Sequence, residues 1–256
     1  MQIYKTREDI TEALEHLSAH DDILAGAFKT YATPPMRETP DGFHGLVRLL
    51  ISQQVSTAAA ASIQAKFNAA MGDMQPENLL ALSDAELGAC GISRPKQRYM
   101  RLLAEAIVSD GLDLAALRDA EDGVVYDTLI QLTGIGPWTA QCYLLFALRR
   151  ADMFPAGDLA LQQAVRLLYG LDERPDAQAL AEFALRWQPH RGAAARLLWT
   201  YYNGEQEAAR QRRYSSTAQL GILKSPTRFE AEDWGAMKNR DAQARGKRRP
   251  KHAPIC

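Results

Sequence analysis

Two features of this chain could do chemistry together. Residues 132–141 read LTGIGPWTAQ, with Gly134 and Gly136 on either side of Ile135, and Asp158 follows 22 residues after Gly136. Glycine lets a backbone turn tightly and approach another molecule closely. A turn through Gly134 and Gly136, with Ile135 anchored inward, would leave the first N–H groups of the next helix unpaired. Gly136 suits the N-cap of that helix and Pro137 its first position. The positive end of such a helix receives a phosphate without help from Lys or Arg. Asp158 precedes LALQQAVRLLYG, a helix that Gly170 would close. A carboxylate kept ionised there and facing a cleft could stabilise positive charge on a sugar, as cleavage of an N-glycosidic bond requires. Each feature also has a plainer reading. The glycines can serve a tight hairpin for its own sake, and Asp is a preferred N-cap wherever it stands.

The elements that must hold these groups read as helices throughout. Apolar residues recur at helical spacing in 7–19, 42–55, 96–109, 123–132, 138–150, 159–169, 176–187 and 191–202. Ser56 opens a further helix rich in Ala, and Ser83 with Glu86 forms a capping-box pattern. No segment alternates cleanly enough for a strand, so the expected class is an all-α bundle with short loops. The expected domains are residues 1–203 and a C-terminal extension, 204–256, that ends in a disordered basic tail.

Charge and cysteine content narrow the field. The chain carries a net −1, split into +6 for residues 204–256 and −7 for the remainder. An acidic body does not announce a broad nucleic-acid surface, so any DNA contact must lean on backbone amides. The three cysteines, Cys90, Cys142 and Cys256, have no metal or disulfide spacing and fit a reducing compartment. No secretory signal and no apolar run of membrane length is visible.

Four segments taken together resemble the helix–hairpin–helix DNA glycosylase superfamily, in its alkylbase branch of 3-methyladenine DNA glycosylases type II. They are LVRLLISQQVSTAAA (46–60), LTGIGPWTAQ (132–141), MFPAGDLAL (153–161) and WQPHRGAAARLLWTYY (187–202). The resemblance implies a two-lobed helical fold with the active cleft between the lobes, in a compact form lacking an N-terminal sheet domain. It implies a monofunctional enzyme that flips out and hydrolyses alkylated purines, acting as a monomer on double-stranded DNA and not on a membrane. The expected location is cytoplasmic in a bacterium or nuclear in a eukaryote. The catalytic residue falls on Asp158, and the hairpin contacts to DNA fall on Gly134, Gly136, Trp138 and Thr139. No cofactor is required, but a Na+ or K+ ion could sit on the carbonyls of Ile130, Leu132 and Ile135.

The departures from the family pattern are informative. Strand-cutting relatives carry a lysine nucleophile where this chain has Trp138, and an indole cannot form a Schiff base. Cys142 and His190 stand where alkylbase enzymes place pocket aromatics. The expected base pocket is Trp138, Cys142, Trp187, His190 and Phe43. Gln54 is expected to fill the gap left by the extruded base, supported by Gln53. The plainer reading of that pair is an amide stitch between two helices. Lys96, Arg98 and Arg191 are candidates for phosphate contacts, or else for solvated helix faces. Two other functions stay open on sequence: a glycosylase for hypoxanthine, uracil or a mismatched base, and a non-catalytic DNA-binding module.

Overall fold

A computed structural model of the chain describes residues 2–37 and 39–219, with backbone alone from 213 onward. It divides into two units, Met1–Glu205 and Gln206–Cys256. All the residues discussed as a site lie in the first. In the second, the described residues continue the last helix, and the basic segment ARGKRRPKHAPIC lies outside them.

Thirteen α-helices are described: α1 (Arg7–Ser18), α2 (Asp22–Tyr31), α3 (Gly42–Ser52), α4 (Thr57–Met71), α5 (Pro76–Ala81), α6 (Asp84–Ala89), α7 (Arg94–Val108), α8 (Leu114–Asp119), α9 (Asp122–Ile130), α10 (Pro137–Cys142), α11 (Leu159–Leu168), α12 (Ala177–Phe183) and α13 (Arg191–Gln219). A π-helical segment, Tyr143–Ala147, follows α10, and a 3-10 turn, Ala184–Trp187, follows α12. Among the described residues there is no strand; one isolated antiparallel bridge pairs Ile3 with Arg150.

Local chemistry sets many of these boundaries. The Ser83 hydroxyl accepts from the Glu86 amide while the Glu86 carboxylate accepts from the Ser83 amide, the reciprocal cap its spacing suggested. The helix expected over 138–150 is interrupted: the Leu148 amide reaches back five residues to Tyr143, at 3.1 Å, the signature of a π segment. The helix expected to stop at 202 runs on to Gln219. Three short helices, α2, α5 and α8, lie outside the segments expected to be helical.

Two hydrophobic cores organise the first unit. One gathers Leu46 and Leu50 of α3, Phe67 of α4, Met100 of α7, Leu129 of α9 and Tyr143. The other joins the N-terminal helices to the C-terminal ones, through Ile10, Leu14, Leu24, Leu161, Val165, Trp187 and Leu197. The chain thus begins in the second core, builds the first, and returns. Tyr143 ties the start of α3 to the π segment, its hydroxyl accepting from the Gly42 amide at 2.9 Å.

Candidate functional site

The hairpin between α9 and α10 follows its sequence closely. Gly134 has φ +93°, and a Cβ there would stand 2.3 Å from Cγ of the Tyr99 ring. Both facts demand glycine at this position. Ile135 is buried and its amide closes the turn on the Leu132 carbonyl at 3.0 Å. Gly136 is the extended N-cap of α10, with Pro137 at the first helical position. A Cβ on Gly136 would meet nothing within 4 Å. The protein itself therefore does not require glycine at 136, whereas it does at 134.

The end of α3 is fastened to this hairpin. The Gln53 side-chain amide donates to the Gly134 carbonyl at 3.0 Å and to the Thr139 hydroxyl at 2.9 Å. Gln53 is therefore the stitch between two elements. Thr139, expected to face DNA, is buried under it. Gln54, next in the chain, is exposed and has φ +54°, a left-handed conformation uncommon outside glycine and costing on the order of 1 kcal/mol. Gln54 stands at the junction with α4.

Two candidates for phosphate contact are occupied inside the protein. The Lys96 ammonium donates to the carbonyls of Ile51 and Gln53 at 2.7 and 2.6 Å, capping the negative end of α3. Burial pushes its pKa below the ordinary lysine value. Arg191 grips Asp152 with a bidentate pair, Nε to Oδ1 at 2.8 Å and Nη2 to Oδ2 at 2.9 Å. Its charge is spent within the fold. Arg98 remains exposed on α7.

Asp158 is where the two cores meet chemically. It caps α11, with Oδ1 accepting from the amides of Ala160 and Leu161 at 2.9 and 3.0 Å. Oδ1 also accepts from Trp199 Nε1 at 3.0 Å, and Oδ2 from Trp138 Nε1 at 2.9 Å. Trp138 packs against the first core and Trp199 against the second. Four N–H donors thus converge on one half-buried carboxylate, an arrangement suited to holding negative charge at a fixed point. Capping of α11 uses only one of the Asp158 oxygens.

Five residues are expected from the sequence to line a base pocket. Only Trp138, of its five residues, reaches the carboxylate with a polar group. Trp187 is fully buried, donating to Asp21 Oδ2 at 3.0 Å amid Phe154, Tyr169 and Phe183. His190 turns to the N-terminal segment, its Nδ1 3.0 Å from the Tyr4 hydroxyl and its ring edge-on to His16. Phe43 is buried in the first core and borders a depression with Gln75 and Ile107. Cys142 is buried, and burial followed by the negative charge of Asp158 pushes its thiol pKa up. Trp199, which the sequence does not single out, reaches the same carboxylate. Beside it, Phe146 of the π segment lies 5.4 Å away between ring centroids. The signal was present as the aromatic in ARLLWTYY, but nothing local separates it from core.

Among the described residues the fold is helical, and a glycine hairpin stands next to an aspartate-capped helix. Residues 47–190 match the family model described as HhH-GPD superfamily base excision DNA repair protein. The chain is 31% identical to DNA-3-methyladenine glycosylase 1 of Schizosaccharomyces pombe over 199 residues, 74% of this chain and 86% of that one. It resembles the structure of the S. pombe 3-methyladenine DNA glycosylase Mag1 in complex with abasic DNA, with a TM-score of 0.69 and 28% identity, covering 74% of this chain and 95% of that chain. It also resembles a DNA-3-methyladenine glycosidase from Bacillus halodurans, with a TM-score of 0.65 and 30% identity, over 81% and 95% of the two chains. The chain belongs to the HhH-GPD superfamily of base excision DNA repair proteins.

Proposed function

We propose that this protein is a monofunctional DNA glycosylase that extrudes alkylated purines, of the 3-methyladenine and 7-methylguanine type, from double-stranded DNA and hydrolyses their N-glycosidic bond. The observation that carries this is the carboxylate of Asp158, fixed by two indole and two backbone N–H groups. A DNA-binding module would need no such group.

The steps follow from the residues. The hairpin from Gly134 to Trp138 offers main-chain amides to a phosphate, with the open side of Gly136 leaving room for close approach. A base must leave the stack before its glycosidic bond is reachable, and exposed Gln54 fills the space it vacates. The extruded cationic purine stacks on the Trp138 indole. The bond between C1′ and the base nitrogen breaks, and its electron pair leaves with the base, which departs neutral and needs little help from an acid. Asp158 stabilises the positive charge left on the sugar. Water then adds its oxygen to C1′ and releases a proton to solvent. Trp138 supplies no amine, so no strand-cutting step follows.

The carbonyls of Ile130, Leu132 and Ile135 would be the ones to hold a Na+ or K+ ion. Those of Ile130 and Ile135 accept no backbone hydrogen bond among the described residues, and that of Leu132 accepts one, from Ile135. Bound there, the ion would brace the turn.

The test is a panel of duplexes carrying alkylated purines, hypoxanthine, uracil or a mismatch, scored for free base and for strand cleavage. Release of alkylated purines leaving intact abasic strands is expected. Release of uracil or a mismatched base alone, no release at all, or direct nicking of the strand would sink the proposal.

A further inference from the structure

Arg196 of α13 is 3% exposed. Its Nη2 donates to the Leu145 carbonyl at 3.0 Å, and its guanidinium carbon lies 4.8 Å from the centroid of the Phe146 ring. Its Nε and Nη1 are buried with no acceptor among the described residues. Leaving such donors unpaired is costly, and native proteins seldom do so without a reason. Arg196 borders a small cavity together with Pro34, Arg37, Phe146, Trp199 and Thr200. Arg196, Trp199 and Thr200 share one face of α13 by their spacing, and Trp199 is the residue whose indole reaches Asp158. The cavity is therefore one side chain away from the carboxylate.

Among the described residues that border the cavity, none is acidic. Burial first, and then the neighbouring charges of Arg37 and Arg149, bring the Arg196 pKa down to about 10, with Tyr4 opposing. Arg196 still carries its proton at neutral pH. The space has room for only about one water, so it admits a single exocyclic atom of a base and not a ring. A DNA phosphate on the protein surface does not reach a guanidinium this deeply buried.

We infer that Arg196 is a specificity-determining residue that reads the edge of the extruded base, donating from Nε and Nη1 to a carbonyl oxygen and so favouring 6-oxopurine lesions over 6-aminopurine ones. The inference rests on the glycosylase function proposed above. An oxo group at C6 gives these donors an acceptor, whereas an exocyclic amine points further N–H groups at a cation. Discrimination of this kind, between a satisfied and an unsatisfied buried polar group, is large compared with the effect of a methyl group.

The experiment compares excision of 3-methylguanine and hypoxanthine with that of 3-methyladenine under single-turnover conditions, for wild type, Arg196→Leu and Arg196→Lys, with thermal unfolding of each. The ratio of oxo to amino lesion is expected to fall about tenfold or more in Arg196→Leu and by less in Arg196→Lys, which keeps the charge and loses the planar donors. If Arg196→Leu does not fold, the Lys variant carries the comparison. A uniform loss on all lesions, or an unchanged ratio in a folded variant, overturns the inference and marks Arg196 as structural while the glycosylase function stands. Failure of the wild-type protein to release any of these bases would instead overturn the function itself.

Discussion

Trp199 Nε1 donates to the same oxygen of Asp158 that caps α11, at 3.0 Å and across 41 positions of sequence. The second core thereby fixes the orientation of a group that the first core reaches from the other side through Trp138.

Replacing Trp199 by Phe keeps the ring against Phe146 and removes the N–H. A hydrogen bond to a charged group is worth about 1.5–3 kcal/mol, so excision of alkylated purines should slow by about 10- to 100-fold. Single-turnover rates would show it. A rate unchanged from wild type would mean that the indole positions nothing.

Asp158→Asn should separate the two roles of this residue. The remaining amide oxygen can still accept from Ala160, Leu161 and Trp199, so the cap survives and thermal stability stays near wild type. The new NH2 faces the Trp138 N–H, and the negative charge is gone. Excision should drop by about a thousandfold or more. Asp158→Ala should add a stability loss of about 1 kcal/mol through the lost cap. Near wild-type excision by Asp158→Asn would remove Asp158 from the mechanism.

The two hairpin glycines should fail in different assays. Gly134→Ala drives a methyl into the Tyr99 ring at a positive φ and should cost about 2 kcal/mol or more in denaturant unfolding. Gly136→Ala has open space and an ordinary extended backbone, so its stability should change by less than about 0.5 kcal/mol. Its affinity for duplex DNA, read by fluorescence anisotropy, should fall several-fold. Equal DNA affinity in Gly136→Ala and wild type would count against contact there.

His190 gives stability a dependence on pH. Burial first, and then the neighbouring His16, hold its pKa below the usual 6.5, with Asp152 opposing; burial and Arg48 do the same to His44. The unfolded chain therefore takes up protons before the folded one, and stability declines as pH falls below about 6.5. The melting temperature should drop between pH 7.5 and 5.5, and His190→Asn should flatten part of that slope. A variant with the full wild-type slope would exclude His190 as its source. The carboxyls of Asp9 and Asp21 are held below their usual range, so they act only in more acidic solution.

Local chemistry made the hairpin and the cap legible. Gly134, Ile135, Gly136 and Pro137 each have a role within a few residues, as does Asp158 before its helix. What stayed hidden depends on partners far along the chain. Lys96 and Arg191 look like solvent-facing charges until the carbonyls of Ile51 and Gln53 and the carboxylate of Asp152 come to meet them. In the last matched segment, Trp187 and Trp199 are equal as residue types. Only the packing of the second core sends one inward to Asp21 and the other to Asp158. The boundary placed after residue 203 follows a change in composition, yet α13 passes through it because charged residues continue a helix as readily as apolar ones.

The chain of contacts from Lys96 through Gln53 to Gly134 and Thr139 joins the α3–α4 junction to the hairpin as one piece. If Gln54 and the hairpin amides meet DNA as proposed, their spacing is settled when the protein folds. The loss of freedom that accompanies recognition then falls mainly on the duplex. A weakened base pair, which opens more readily, would be singled out by how little it resists a rigid template, before any atom of the lesion is read.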